Sequence, residues 1–168
     1  VRYNSSLIES WSTSFGSPAN DYTGGIAANA GAVVFAAANI GQTFTIGANT
    51  FTNTTTNTTD VFIVRFNSGT GAYLTGRMAG NATYNCTVRD IIVDPSSNVY
   101  FTGGFRGSLA VATTALNATS QDIFIGRWTA ALANSWAYNM GGTSSDNGTA
   151  ISLDGVGNVY YTGTFIGP

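Results

Sequence analysis

Residues 90–103 read DIIVDPSSNVYFTG, and the stretch returns sixty residues later as AISLDGVGNVYYTG at residues 150–163. In each copy two apolar runs flank a turn that opens with Asp and closes with Asn. The runs are short and rich in Val, Ile and Tyr, a composition typical of β-strands, and the turn is short enough for an antiparallel hairpin. The stretch therefore predicts a pair of strands, which we call strands A and B.

A second pair of strands follows the first. Residues 1–5 (VRYNS) recur at residues 64–68 (VRFNS) and more loosely at residues 126–129, and the second copy leads into a turn of Asn, Ser, Gly and Thr at residues 67–71. A bulky apolar residue opens the next run in every copy, at Trp11, Leu74 and Trp136. These runs predict strands C and D. The period of about sixty-two residues is typical of stacked supersecondary units.

The apolar pattern indicates sheets that are covered on both faces. Residues 61–64, for example, are apolar at consecutive positions, which is expected only where neither face meets solvent. Four-stranded antiparallel sheets packed face to face around an axis meet that requirement, and such sheets are the blades of a β-propeller. We therefore predict an all-β fold with about three blades' worth of strands in this chain. The predicted units are residues 1–15 (second half of a blade, strands C and D), 16–78 (a blade), 79–140 (a blade) and 141–168 (first half of a blade, strands A and B).

At these residues the chain resembles a known family. The hairpin of residues 151–163, the Asp-led strand of residues 122–128 and the run opened by Trp136 are similar to the SBBP type of β-propeller repeat, and repeats of the NHL type share the A–B hairpin. The resemblance covers nearly the whole chain, although the first copy has Asn29 in place of the Asp that opens the A–B turn. It implies a propeller fold and an extracellular habit, with no activity attached.

The charge composition excludes several classes of function. Only 8% of residues are charged, the net charge is -2, there is no His, and all six basic residues are Arg. This leaves no basic patch for nucleic acid or an anionic membrane. Without His and Lys, catalytic triads, imidazole metal sites and Schiff-base chemistry are absent, and we expect no cofactor. The longest charge-free apolar stretch, residues 25–41, falls on an A–B hairpin, so we expect no membrane span.

Eight carboxylates remain as candidates for catalysis or for calcium binding. Most recur with the repeat: Asp94 matches Asp154, Asp60 matches Asp122, and Asp21 matches Asp146. A catalytic residue is needed once per site, whereas a turn-forming Asp is needed once per blade. We therefore favour structural roles over a glycosidase pair or a calcium cage, and predict no catalytic and no metal-binding residue.

Arginine also recurs, at Arg2, Arg65 and Arg127 on strand C. We expect these side chains to pair with carboxylates between blades or to lie along the rim, the alternative being an anion-binding ring.

Asparagine supplies the strongest chemical signal. Seven Asn residues stand in Asn-x-Ser/Thr: Asn4, Asn53, Asn57, Asn81, Asn85, Asn117 and Asn147. Because this composition would give about four such triplets by chance, their placement matters more than their number. We expect none inside a strand, with six in the B–C and D–A connections on one side of each sheet and Asn4 in a C–D turn. The sequence thus predicts N-linked glycans concentrated on one face.

The chain has a single cysteine, Cys86. An unpaired Cys in a secreted protein indicates either a buried thiol or a bridge between molecules, and we favour the buried thiol.

The order of the strands suggests a function. They run C-D, A-B-C-D, A-B-C-D, A-B, so the first and last pairs are complementary halves of one blade. Propellers close with about four blades or more, and an open stack exposes strand edges. We predict a non-enzymatic, secreted, extracellular or cell-surface glycoprotein with a structural or adhesive role. Its partners would be copies of itself, joined head to tail through edge strands as a filament or surface array.

The alternative is a fragment of a larger secreted protein that acts as a carbohydrate-binding or protein-binding propeller module. In that case Trp11 and Trp136 could stack on sugars, although aromatic residues at a repeated strand position are more often packed between blades.

Overall fold

The computed structural model describes residues 1–29, 33–53, 55, 58–80, 83–111, 113 and 115–167. Within these residues every regular element is a β-strand and every strand pair is antiparallel, so the all-β prediction is confirmed. No helix in this described part could cross a membrane.

The strands of the described residues are β1 (Arg2–Tyr3), β2 (Glu9–Trp11), β3 (Tyr22–Ala28), β4 (Val33–Ile40), β5 (Phe44–Ile46), β6 (Asn49–Phe51), β7 (Asp60–Asn67), β8 (Tyr73–Ala79), β9 (Cys86–Val93), β10 (Val99–Leu109), β11 (Leu116–Trp128), β12 (Asn134–Met140), β13 (Asn147–Leu153) and β14 (Val159–Thr164).

Two four-stranded sheets form the body of the protein. Sheet I has the order β3-β4-β7-β8, and sheet II has the order β9-β10-β11-β12. Both orders match the predicted sequence of strands A, B, C and D, because each strand pairs antiparallel with the A, B, C or D strand that precedes it. The β1–β2 and β13–β14 hairpins are separate two-stranded sheets, and the described strands do not close into a ring.

Sheet I carries an additional hairpin that is not part of the predicted four-stranded repeat. Strands β5 and β6 lie in its B–C connection, paired through Phe44 and Phe51 and joined by a turn in which Gly47 has a φ of 59°. Apolar and polar residues alternate at residues 44–46 before Gly47, and a Gly beside such a run is a local turn signal. The repeat does not predict this hairpin, because the other B–C connection has only six residues between β10 and β11.

Strand A is bulged at the same place in every copy. In β3 the register shifts between Thr23 and Gly25, and in β13 it shifts between Gly148 and Ala150. In β9 it shifts between Val88 and Asp90, which pair with Gly103 and Thr102 of β10. In each strand an Ile follows the bulge, at Ile26, Ile91 and Ile151. These three residues are therefore structurally equivalent as well as aligned in sequence.

The two sheets pack face to face across an aromatic core. Phe35 and Ile63 of sheet I meet Phe101 and Trp128 of sheet II, all fully buried, and the Phe101 and Trp128 rings lie 4.8 Å apart. The opposite face of sheet I buries Phe62, Val64 and Phe66 beneath Phe15 and the β5–β6 hairpin. Consecutive residues of β7 thus enter two different cores, which explains the uninterrupted apolar run at residues 61–64.

Candidate functional site

The A–B turns are closed by the repeated Asp residues. In sheet II, Asp94 Oδ1 accepts the backbone amide of Asn98 (2.8 Å), and its Oδ2 accepts Asn98 Nδ2 (2.8 Å) and the Tyr100 hydroxyl (3.3 Å). The β13–β14 turn reproduces all three bonds around Asp154. Both carboxylates therefore serve the turn they open.

The hydrogen bonds in these turns change the acidity of both carboxyl groups. Burial alone would raise the pKa of Asp94, but the bonds from Asn98 and Tyr100 outweigh burial and lower it. For Asp154 the side-chain bond from Asn158 is the largest effect and lowers the pKa against a smaller effect of desolvation. Both groups are therefore held in the charged form.

A second pair of equivalent carboxylates ties the D–A loops to the ends of strand B. Asp21 accepts hydrogen bonds from the backbone amides of Ser17 and Gly41. Asp146 accepts them from the backbone amides of Gly142 and Ile166. In both cases the donors lie four residues before and twenty residues after the Asp. These contacts occur in the first and last repeats, whereas the middle repeat has Cys86 at the equivalent position.

The repeated arginines join successive sheets. Arg2 Nη1 donates to the Ser68 carbonyl oxygen (2.8 Å), and Arg65 Nη1 donates to the Ala130 carbonyl oxygen (3.0 Å). In both cases strand C reaches the C–D turn of the following sheet. The location between sheets agrees with the prediction, but the acceptors are main-chain carbonyls, and the prediction of carboxylate partners is wrong for these contacts. The reason is that the C–D turn brings outward-facing carbonyl oxygens to the position that the guanidinium reaches.

Four of the predicted glycan acceptors are accessible to different degrees. Asn4, Asn85 and Asn117 are exposed, and Asn147 is half-buried. Asn117 lies in β11 and Asn147 opens β13, so the expectation that no acceptor lies within a strand is wrong for both. For Asn117 the cause is that β10 and β11 extend as a long hairpin beyond the four-stranded part of sheet II.

Asn53 is buried, and both its side-chain nitrogen and its side-chain oxygen form hydrogen bonds. Its Nδ2 donates to the carbonyl oxygens of Ile40 (3.1 Å) and Thr58 (2.9 Å), and its Oδ1 accepts the backbone amide of Thr55. An N-linked sugar would replace one Nδ2 hydrogen and so remove one of these bonds. The predicted acceptors Asn57 and Asn81 lie outside the described residues.

Cys86 is fully buried, which confirms the predicted interior thiol. Burial, with a smaller contribution from the charge of Asp60, raises the pKa of the thiol to about 12. Within the described residues no cluster of three or more His, Cys, Asp or Glu side chains is found.

The two ends of the stack differ from its middle in exposure. Ile91 and Ile151 are 5% and 7% exposed because the preceding sheet covers them, whereas their equivalent Ile26 is 66% exposed. Ile26 lines a cleft of about 540 Å³ together with Phe15 and Tyr22. We call this the leading surface, defined by Phe15, Tyr22 and Ile26.

The opposite end shows the complementary difference. Tyr100 and Tyr160 are equivalent and make the same hydrogen bond to the turn Asp, but Tyr100 is 8% exposed and Tyr160 is 57% exposed. Phe165 and Ile166 beside the β14 strand are also exposed. We call Tyr160, Phe165 and Ile166 the trailing surface.

No protein-family model matches the chain, and no curated protein matches it in sequence. The inference about function therefore depends on the repeated contacts between successive sheets and on the leading and trailing surfaces.

Proposed function

We propose that the protein is a non-enzymatic, extracellular β-repeat protein with a structural or adhesive role, built from propeller-type blades and assembled head to tail. The exposure of Ile26, set against that of Ile91 and Ile151, carries the proposal. Three equivalent residues differ only in whether an A–B strand pair of another sheet covers them. Ile26 shares a cleft with Phe15 and Tyr22, and a contiguous exposed apolar patch of this kind indicates a surface for a partner.

The partner that fits the leading surface is the β13–β14 hairpin of a second copy. Strands β3 and β4 pack on β9, and β9 and β10 pack on β13, so each A–B pair covers the A strand of the following sheet. The β13–β14 hairpin is itself an A–B pair. Placed against β3 of a second copy, it covers Ile26 in the way that β3 and β4 cover Ile91.

The same placement brings an edge of β14 beside β1 of the second copy and specifies the register. Strand B pairs with strand C through Phe35 opposite Arg65 in sheet I and through Tyr100 opposite Arg127 in sheet II. The equivalent pair between copies is Tyr160 opposite Arg2. Arg127 also donates Nε to the Tyr100 hydroxyl (3.1 Å), a contact that Arg2 and Tyr160 can repeat. Main-chain pairing then extends the sheet, as in other cases of strand addition.

The other predictions are consistent with this role. The repeated carboxylates serve turns and loops, which favours a scaffold over an enzyme. Trp11 donates Nε1 to the Ser68 carbonyl oxygen, and Trp136 packs on Tyr100, so both indoles take part in sheet packing and not in an open sugar-binding platform. The resemblance to SBBP repeats and the exposed acceptors Asn4, Asn85 and Asn117 support an extracellular setting with N-linked glycans.

Mixing two blocked variants tests the proposal. Ile26→Asp blocks the leading surface and Tyr160→Asp blocks the trailing surface, so each variant alone lacks one half of the contact. In size-exclusion chromatography with light scattering, wild-type protein is expected to form oligomers and each variant a monomer. An equal mixture of the two variants is expected to form a one-to-one dimer. Ala110→Asp, at an exposed position directly after β10, is the matched control and should assemble like wild type.

A cysteine pair tests the register directly. Arg2→Cys and Tyr160→Cys proteins should form an intermolecular disulfide when mixed, whereas Arg2→Cys mixed with Ala110→Cys should not. A wild-type chain that stays monomeric at high concentration contradicts assembly. A native polypeptide whose intact mass far exceeds that of this chain would assign the same junction to contacts within one longer molecule.

A further inference from the structure

Two buried carboxylates converge at the junction between sheet II and the β13–β14 hairpin. Asp122 opens the apolar part of β11 and is 7% exposed, and Asp146 precedes β13 and is 1% exposed. Both point to Gly141: a Cβ there would overlap the Asp122 carboxylate and lie 2.9 Å from Asp146 Oδ2. The absence of a side chain at Gly141 therefore allows both carboxylates to approach the same point.

The hydrogen bonds around this pair leave one oxygen without a donor. Asp122 Oδ2 accepts Asn139 Nδ2 (3.1 Å), but Asp122 Oδ1 is buried and has no hydrogen-bond partner. Asp146 accepts the backbone amides of Gly142 and Ile166, both at 2.9 Å. A buried carboxylate oxygen without a donor is costly, and such groups are normally paired or bound to a cation.

We propose that Asp122 and Asp146 bind a calcium ion. The oxygens facing Gly141 lie within about 5 Å of each other, a span that two ligands at about 2.3–2.6 Å from one Ca²⁺ can have. Hard oxygen ligands exclude the metals that prefer sulfur or imidazole. Because both carboxylates are almost fully buried, the site suits Ca²⁺ better than Mg²⁺, which keeps several of its water ligands. The Gln121 carbonyl oxygen, which accepts the Asp146 amide (2.7 Å), belongs to the same junction and offers a further oxygen.

The junction between sheets I and II is a natural comparison within the same chain. Asp60 is equivalent to Asp122, five residues before the strand-C Arg, and Cys86 is equivalent to Asp146, five residues before the strand-A Ile. Asp60 lies close enough to Cys86 for its charge to raise the pKa of that thiol. One junction thus pairs a carboxylate with a protonated thiol, and the other pairs two carboxylates. Only the second has the charge that attracts a divalent cation.

The proposed ion would link sheet II to the β13–β14 hairpin, since Asp122 belongs to the first and Asp146 to the second. Calcium is therefore expected to stabilise the hairpin that carries Tyr160, whether or not copies assemble.

The test is calcium titration of EDTA-treated, full-length protein by isothermal calorimetry, with thermal unfolding followed in parallel. Wild type should bind one Ca²⁺ per chain with a Kd of about 10⁻⁴–10⁻³ M, as weak extracellular sites do. Saturating calcium should raise the Tm by about 3–6 °C. Asp122→Asn and Asp146→Asn should lose binding and the Tm shift, and Asp146→Cys should do the same while copying the first junction.

Cys86→Asp supplies a gain-of-function variant. It places two carboxylates in the first junction and should raise the stoichiometry from one Ca²⁺ to two. Absence of stoichiometric binding by wild type at 10-fold above the expected Kd would overturn the proposal. Undiminished binding by both Asn variants would overturn it too, because the ion would then lie elsewhere. A wild-type Tm that does not change in saturating calcium would overturn it as well.

Discussion

Arg65 Nη1 donates a hydrogen bond to the carbonyl oxygen of Ala130 across 3.0 Å, and so connects strand C of sheet I to the C–D turn of sheet II. Arg2 makes the same contact with Ser68 at the preceding junction. The repeat therefore encodes contacts between sheets as well as the strands within them.

Arg65→Ala is expected to lower the free energy of unfolding by about 1–3 kcal/mol, because it removes a charge-assisted hydrogen bond at a partly buried junction. Arg65→Lys should recover only part of the loss, since an ammonium group lacks the extended fork of guanidinium. Urea unfolding measures both variants. Arg2→Ala is the control: its contact is solvent-exposed, so the change should stay below about 1 kcal/mol, and equal losses at both positions would contradict the argument.

The A–B turns should make the protein sensitive to acid. The native pKa values of Asp94 and Asp154 are lowered, so their contribution to stability is present above the ordinary carboxyl pKa of about 3.9 and is lost as the pH falls through the lower native values. The Asp94→Asn, Asp154→Asn double variant should therefore lose less stability between pH 5 and pH 2.5 than wild type, as measured by urea unfolding at each pH. Identical losses would show that other carboxylates dominate the acid response.

Cys86 should be inert in the folded protein. With its pKa raised to about 12 and its side chain buried, the thiol carries almost no thiolate at pH 8. A thiol reagent such as Ellman's reagent should detect no reactive sulfhydryl in native protein and one per chain in 6 M guanidinium chloride. Rapid labelling of the native protein would contradict the buried position.

Gly126→Ala should destabilise sheet II. A Cβ at this position would lie 2.6 Å from the ring of Phe101, which is fully buried and cannot move aside freely. Overpacking of this kind costs about 1–3 kcal/mol. Gly155→Ala is the matched control, because nothing lies within 4 Å of its Cβ position, and its effect should stay within about 0.5 kcal/mol.

Glycan occupancy should follow exposure. In native glycosylated material we expect glycans at Asn4, Asn85 and Asn117 and none at Asn53, whose Nδ2 already donates two hydrogen bonds. Glycopeptide mass spectrometry measures occupancy at each position. A fully occupied Asn53 would mean that the loop around it differs from the structure described above.

Much of the fold could be predicted because its signals are local. The Asp94–Asn98 turn and its copy at Asp154 are closed by hydrogen bonds within six residues, and the apolar runs on either side require strands. The β5–β6 hairpin has an equally local signal around Gly47, and comparing repeats concealed it only because it occurs once.

The candidate sites could not be predicted in the same way. Nothing in the sequence distinguishes the exposed Ile26 from its buried equivalents Ile91 and Ile151, or brings Asp122 beside Asp146. These properties depend on which segments pack together, and the segments lie tens of residues apart.

The sequence by itself determined the strands, their turns and the order in which they pair, because those depend on side chains within one hairpin. Only the tertiary structure decided how the side-chain volumes fit, as where Phe101 of β10 is opposite Gly126 of β11 in sheet II. In sheet II the Phe101 ring occupies the space that a side chain on Gly126 would need. Such a fit is set by close packing between strands and sheets, which a repeated pattern of residue types does not specify.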